Sequence, residues 1–129
     1  MIEAKENFNN TWPFNPNFFS GNGFKQHYVE EGKENNKVIL CLHGEPTWGY
    51  IYRHFIKELS KNFRVVVPDL MGFGKSETPK NKEYSLKTHV ENLENLVNYL
   101  ELKNIYFVGQ DWGGPILGAY TLRNLTNTK

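Results

Sequence analysis

Residues 105–114 read IYFVGQDWGG, an apolar run that breaks into a glycine-flanked acid. Ile105–Val108 is a short apolar run rich in β-branched and aromatic side chains, the composition of a strand buried on both faces. It gives way at once to a glycine, an aspartate, a tryptophan and two further glycines. A tight turn without chemistry is one reading. The other is a strand-to-helix elbow that presents a carboxylate at the strand's end. Gly109, Asp111 and Gly113 have the small, x, nucleophile, x, small spacing of such an elbow. The nucleophile's backbone there is strained, and larger side chains two residues away would collide with the adjoining helix or strand. The following GGPILGAYTLRN can begin a helix whose first N–H groups favour negative charge at the elbow.

Two further apolar runs, Val38–Leu42 and Arg64–Val67, have the same character. Between them Tyr52, Phe55, Ile56 and Leu59 recur at i, i+3, i+4 and i+7, which predicts one helical face. Between the second and third runs, Ser85 is a candidate N-cap for a helix carrying Leu86, Val90, Leu93, Val97 and Leu100 on one stripe. Strand, helix, strand repetition predicts an α/β fold with a mostly parallel sheet and helices on both faces. The stretch FFSGNGFKQHYVEEG reads as a β-hairpin leading into that sheet, and Pro13 and Pro16 place an irregular arm before it.

Composition narrows the function classes. The chain has 129 residues, a net charge of +1 and 22% charged residues, so no charge imbalance points to nucleic acid or a membrane surface. The N-terminus has no apolar stretch behind a positive region, which reads as cytoplasmic. The single cysteine, Cys41, lies inside VILCL and reads as a small buried hydrophobe. Gly74-Lys75-Ser76 does not make a phosphate-binding loop, because Asp69 stands where the first glycine belongs; Gly72-Phe73-Gly74 lacks the third glycine of a dinucleotide site, with Glu77 in its place. A glycine-rich turn is the reading kept.

Ligands of open α/β sheets gather beyond the carboxyl ends of the strands. Those positions hold HGEPTW at 43–48, PDLMGFGKSETP at 68–79 and QDWGG at 110–114. The loop after the first run normally lends one backbone N–H to an oxyanion hole and the residue after the nucleophile lends the other. Here those donors are Glu45 and Trp112. With these segments, Tyr52-Arg53, TWPFNPNFF at 11–19 and HYVEEG at 27–32, the chain resembles the α/β-hydrolase family and, within it, the haloalkane dehalogenases. The resemblance runs over almost the whole chain. It implies Asp111 as nucleophile, Trp112 as a halide-binding indole and Glu45 at the oxyanion and halide side of the pocket. It also implies a small haloalkane or related electrophile as substrate, an aspartyl alkyl-ester intermediate, and no metal or organic cofactor. Epoxide hydrolases and β-lactone decarboxylases share the aspartate and the HG-x-P loop and are the alternatives.

The departure from the family is at the C-terminal end. Triad order in this fold is nucleophile, acid, histidine, and the 18 residues after Asp111 include no His, Asp or Glu. The expectation is therefore that residues 1–129 form the N-terminal portion of one core domain, truncated after the elbow helix, with the cap and C-terminal part absent. Such a chain is expected to be inactive alone toward haloalkanes, with Ile105–Val108 as a bare, association-prone edge. His43 belongs to the loop motif, while His27, His54 and His89 read as surface or satisfied histidines. Trp12 and Trp48 read as packing aromatics, Asp69 as a structural turn or cap residue. A binding module that kept the fold without the chemistry is the competing class.

Overall fold

The computed structural model describes residues 1–129, arranged around one five-stranded sheet. Strands β1 (Asn17–Phe19), β2 (Gln26–Glu31), β3 (Val38–Leu42), β4 (Arg64–Pro68) and β5 (Ile105–Gly109) lie in the order β1-β2-β4-β3-β5. The expected hairpin is β1 and β2, and β2 runs antiparallel to β4. The three apolar runs pair in parallel, with Leu40 opposite Val66 on one side and Leu42 opposite Gly109 on the other.

Helices cover both faces, which explains why these strands show no alternation of polar and apolar residues. Val38, Leu40, Leu42 and Val66 pack with α2 (Leu86–Tyr99) and α3 (Gly113–Arg123) in one core layer. Ile39, Cys41, Val65 and Val67 pack with Tyr52 and with Ile56 of α1 (Arg53–Leu59) in the other. Trp12 closes that second layer, 1% exposed and edge-on to Phe14. The irregular arm is thus anchored by its aromatics.

Both expected helices form, with narrower apolar faces. In α2 the Ser85 hydroxyl accepts the Thr88 N–H, and Val90, Leu93, Leu96 and Val97 are buried. Leu86 is 43% exposed. A 3-10 turn at Gly49–Tyr52 precedes α1 and rotates Phe55 outward, leaving Tyr52 and Ile56 as the buried contacts.

The expected bare edge is corrected at one end. Thr128 forms a parallel bridge to Ile105, and the Lys129 N–H donates to the Ile105 carbonyl at 2.9 Å. Ile105 is fully buried, whereas Tyr106 is 43% exposed. The physical reason is that the turn after α3 returns the chain beside the start of β5, and Asn127 fixes it there by donating to the Leu102 carbonyl.

Candidate active site

The elbow is built by steric necessity. Asp111 has φ of 53°, a left-handed conformation that brings its carboxyl group up at the end of β5. The chain then enters α3 directly after Trp112. A Cβ on Gly113 would strike the Leu42 carbonyl oxygen, and one on Gly44 would meet Asp111 Oδ2 and the Trp112 nitrogen, each at 2.6 Å. These glycines let three backbone segments converge on one carboxylate.

Asp111 Oδ2 accepts the Glu45 N–H at 2.9 Å. That bond, with the nearby Trp112 N–H, holds the carboxyl group below the usual carboxylate range. Asp111 is therefore ionised at neutral pH. No other protein donor meets the hydrogen-bond geometry at the carboxylate, so Oδ2 is held by the Glu45 N–H and Oδ1 is without a donor. The structure places the Glu45 N–H on the Asp111 carboxylate and Trp112 directly after it at the start of α3.

Side chains not singled out from the sequence fix the loop in place. Gln110 Oε1 accepts both the Gly44 N–H at 3.1 Å and the Thr47 hydroxyl at 3.3 Å. Thr47 also donates to the Gly44 carbonyl. Gln110 lies inside the elbow motif, but its partners are over 60 residues away and leave no signal in sequence spacing. His43 is fully buried; its Nδ1 bonds the Gly44 carbonyl and its Nε2 accepts the Leu70 N–H, both at 2.8 Å. The Leu70 bond needs a lone pair on Nε2, so the ring is neutral with its proton on Nδ1. Burial also pushes His43 below its usual value.

Asp69 is a structural hub, as its position suggested. Fully buried, it accepts the Gly49 N–H at 2.7 Å on Oδ1, and the Lys75 N–H and His27 Nδ1 at 2.9 Å on Oδ2. It thereby ties the end of β4 to β2, to the turn before α1 and to the glycine-rich loop. That loop forms one wall of a cleft of about 280 Å³ beside the elbow. Leu70, Phe73, Leu86 and Ile116 supply apolar lining, and Glu45, Thr78, Ser85, His89 and Trp112 bring polar groups to it. Trp112 is half exposed. His89 is not a surface histidine: it lines this cleft, and its Nδ1 is sealed without a partner. His54 is exposed on α1, away from the site residues. No group of three or more His, Cys, Asp or Glu is arranged to hold a metal ion, and no helix is long and apolar enough to cross a membrane.

A mixed sheet with a parallel core, helices on both faces and an acid-bearing strand-to-helix elbow defines a class, and comparison with known proteins agrees. The chain belongs to the alpha/beta hydrolase fold family, whose profile matches residues 37–128. It is 41% identical over 105 residues to haloalkane dehalogenase 2 of Mycobacterium tuberculosis, covering 81% of this chain and 36% of that protein. It is 38% identical over 114 residues to a cis-3-alkyl-4-alkyloxetan-2-one decarboxylase of Shewanella oneidensis, covering 86% of this chain and 35% of that one. A haloalkane dehalogenase from Paraglaciecola agarilytica, described as tetrameric, superposes with a TM-score of 0.87 at 38% identity, over 92% of this chain and 42% of that structure. The chain thus spans about a third of the length of the curated relatives it matches.

Proposed function

We propose that this chain carries the nucleophile side of a hydrolase site that cleaves carbon–halogen bonds through an ester on Asp111. The observation that carries the reading is the asymmetric carboxylate, with Oδ2 on the Glu45 N–H and Oδ1 without a donor, next in sequence to Trp112, which lines the adjoining cleft. Oδ1 attacks the halogen-bearing carbon, the new C–O bond forms as the C–X bond breaks, and the halide leaves with the bonding pair. An indole N–H in such a cleft is a donor with no acceptor to repel the departing anion. Oδ2 then becomes the ester carbonyl, already seated on the donors that stabilise the tetrahedral oxyanion when water attacks Cγ.

Water attack requires a base, which we assign to a histidine held by an acid in the part of the fold that the relatives have beyond the matched region. In that reading residues 1–129 are the N-terminal portion of one core domain, acting on a small molecule without metal or organic cofactor. The chain alone does not turn over; it releases at most one halide per Asp111. The test is stoichiometric halide release from a haloalkane series by the wild type and by Asp111→Asn. Release near one equivalent, lost in the variant, is expected. The decarboxylase relative, similar over 86% of this chain, favours a second reading in which the same aspartate meets a β-lactone or an epoxide. Consumption of those electrophiles without any halide release from haloalkanes would select it.

A further inference from the structure

His89 stands in the first turn of α2 with its ring in the cleft wall, and neither ring nitrogen has a hydrogen-bond partner in the protein. The two nitrogens differ in surroundings. Nδ1 is sealed from solvent, so the ring can meet the cleft contents only through Nε2. A buried N–H with no acceptor is rarer and costlier than a buried lone pair with no donor. The proton of the neutral ring therefore belongs on Nε2. Protonating both nitrogens would place an N–H at the sealed position, and burial, reinforced by His43, holds the ring below its usual value against the opposing pull of the Glu45 carboxylate. Glu45, His89 and Trp112 line the same cleft, and Glu45 and His43 are both near enough to act on the ring electrostatically. The side chain is thus a neutral N–H donor whose own lone pair is turned away from a cleft that it lines together with Glu45 and Trp112.

We propose that His89 is a leaving-group contact, its Nε2–H hydrogen-bonding the halide together with the Trp112 indole. This rests on the carbon–halogen reading of the Asp111 site. No proton moves in the step: Oδ1 of Asp111 supplies the electron pair for the C–O bond, the halide takes the C–X pair, and His89 stays neutral while it donates. The donor also offsets the field of the Glu45 carboxylate, which by itself opposes an anion in the cleft.

The test is bromide titration of the 129-residue protein at neutral pH, followed by tryptophan fluorescence and by bromide-81 NMR line broadening. The set comprises wild type, Trp112→Phe, His89→Phe, His89→Leu and His89→Asn, with circular dichroism for each. Loss of one hydrogen bond to a charged acceptor is expected to weaken bromide binding about tenfold or more in the donor-free Phe and Leu variants. His89→Asn, which keeps an N–H donor, is expected to fall between them and wild type. Two donor-free replacements of different shape keep the reading independent of how either one packs. If all three His89 variants bind bromide as wild type does while Trp112→Phe is weakened, the halide site stands and the role of His89 is refuted. If wild type shows no bromide binding by either method, the carbon–halogen reading and the His89 role both fail.

Discussion

Asp69→Ala offers a sharp test of how the cleft wall is held. The carboxylate is fully buried and accepts from Gly49 N–H, Lys75 N–H and His27 Nδ1. Removing it strands three donors, and a buried unsatisfied donor costs about 1–3 kcal/mol. Partial relaxation of the surface-directed glycine loop lowers the sum, so the expected loss is about 3–6 kcal/mol. That is a large fraction of the roughly 5–15 kcal/mol that stabilises a domain. In urea, with a slope of about 2 kcal/mol per M, the midpoint should fall by about 1.5–3 M. Equilibrium unfolding read by far-ultraviolet circular dichroism measures this directly. Glu58→Ala, which breaks an exposed Glu58–Lys61 pair one helical turn apart, is the control and should change stability by less than about 1 kcal/mol. An Asp69→Ala midpoint within about 0.5 M of wild type would show that the hub is not what holds these loops together.

Removing the N-cap with Ser85→Ala should cost about 1 kcal/mol in the same urea titration, since the hydroxyl accepts the Thr88 N–H. Cys41, buried with its thiol pushed up to about 12, should resist thiol reagents in the folded protein and label only at the rate of unfolding. The folded Asp111 binds its proton less tightly than an ordinary aspartate, because the Glu45 and Trp112 N–H groups favour the anion. In the proposed reaction its anionic form is complete at neutral pH, and the single-turnover alkylation rate should fall only at a pH below that at which an ordinary aspartate protonates. A fall beginning near pH 6 would place a different group in control of the step.

The parts of this fold that were legible in the sequence are those governed by neighbours along the chain. The Gly109–Gly113 spacing announced a strained backbone at Asp111, found as a φ of 53°, because only small residues fit where β5, α3 and the Leu42 carbonyl converge. The three apolar runs were readable as parallel strands; β3 and β4 are buried on both faces, which removes the polar alternation, whereas β5 lies at the sheet edge with Tyr106 43% exposed. What stayed hidden depends on contacts across long separations. Gln110 binds the Gly44 loop 66 positions away, and Asp69 meets His27 at a separation of 42. Periodicity assigned His89 to α2 correctly, but it could not show that this turn of the helix faces the cleft while Leu86 is left half exposed at its rim. The edge expectation missed Thr128 for the same reason: a two-residue bridge has no periodicity to read.

In the proposed reaction Oδ1 of Asp111 supplies the oxygen of the new C–O bond. Exposing the protein to a reactive haloalkane, digesting it at low pH to preserve esters and sequencing the peptides by tandem mass spectrometry tests that claim most directly. The account predicts one alkyl group, carried by the peptide containing Gln110-Asp111-Trp112 and localised to Asp111, and none in Asp111→Asn. Alkylation confined to other carboxylates or to histidines, with Asp111 unmodified under conditions where halide is released, would contradict it.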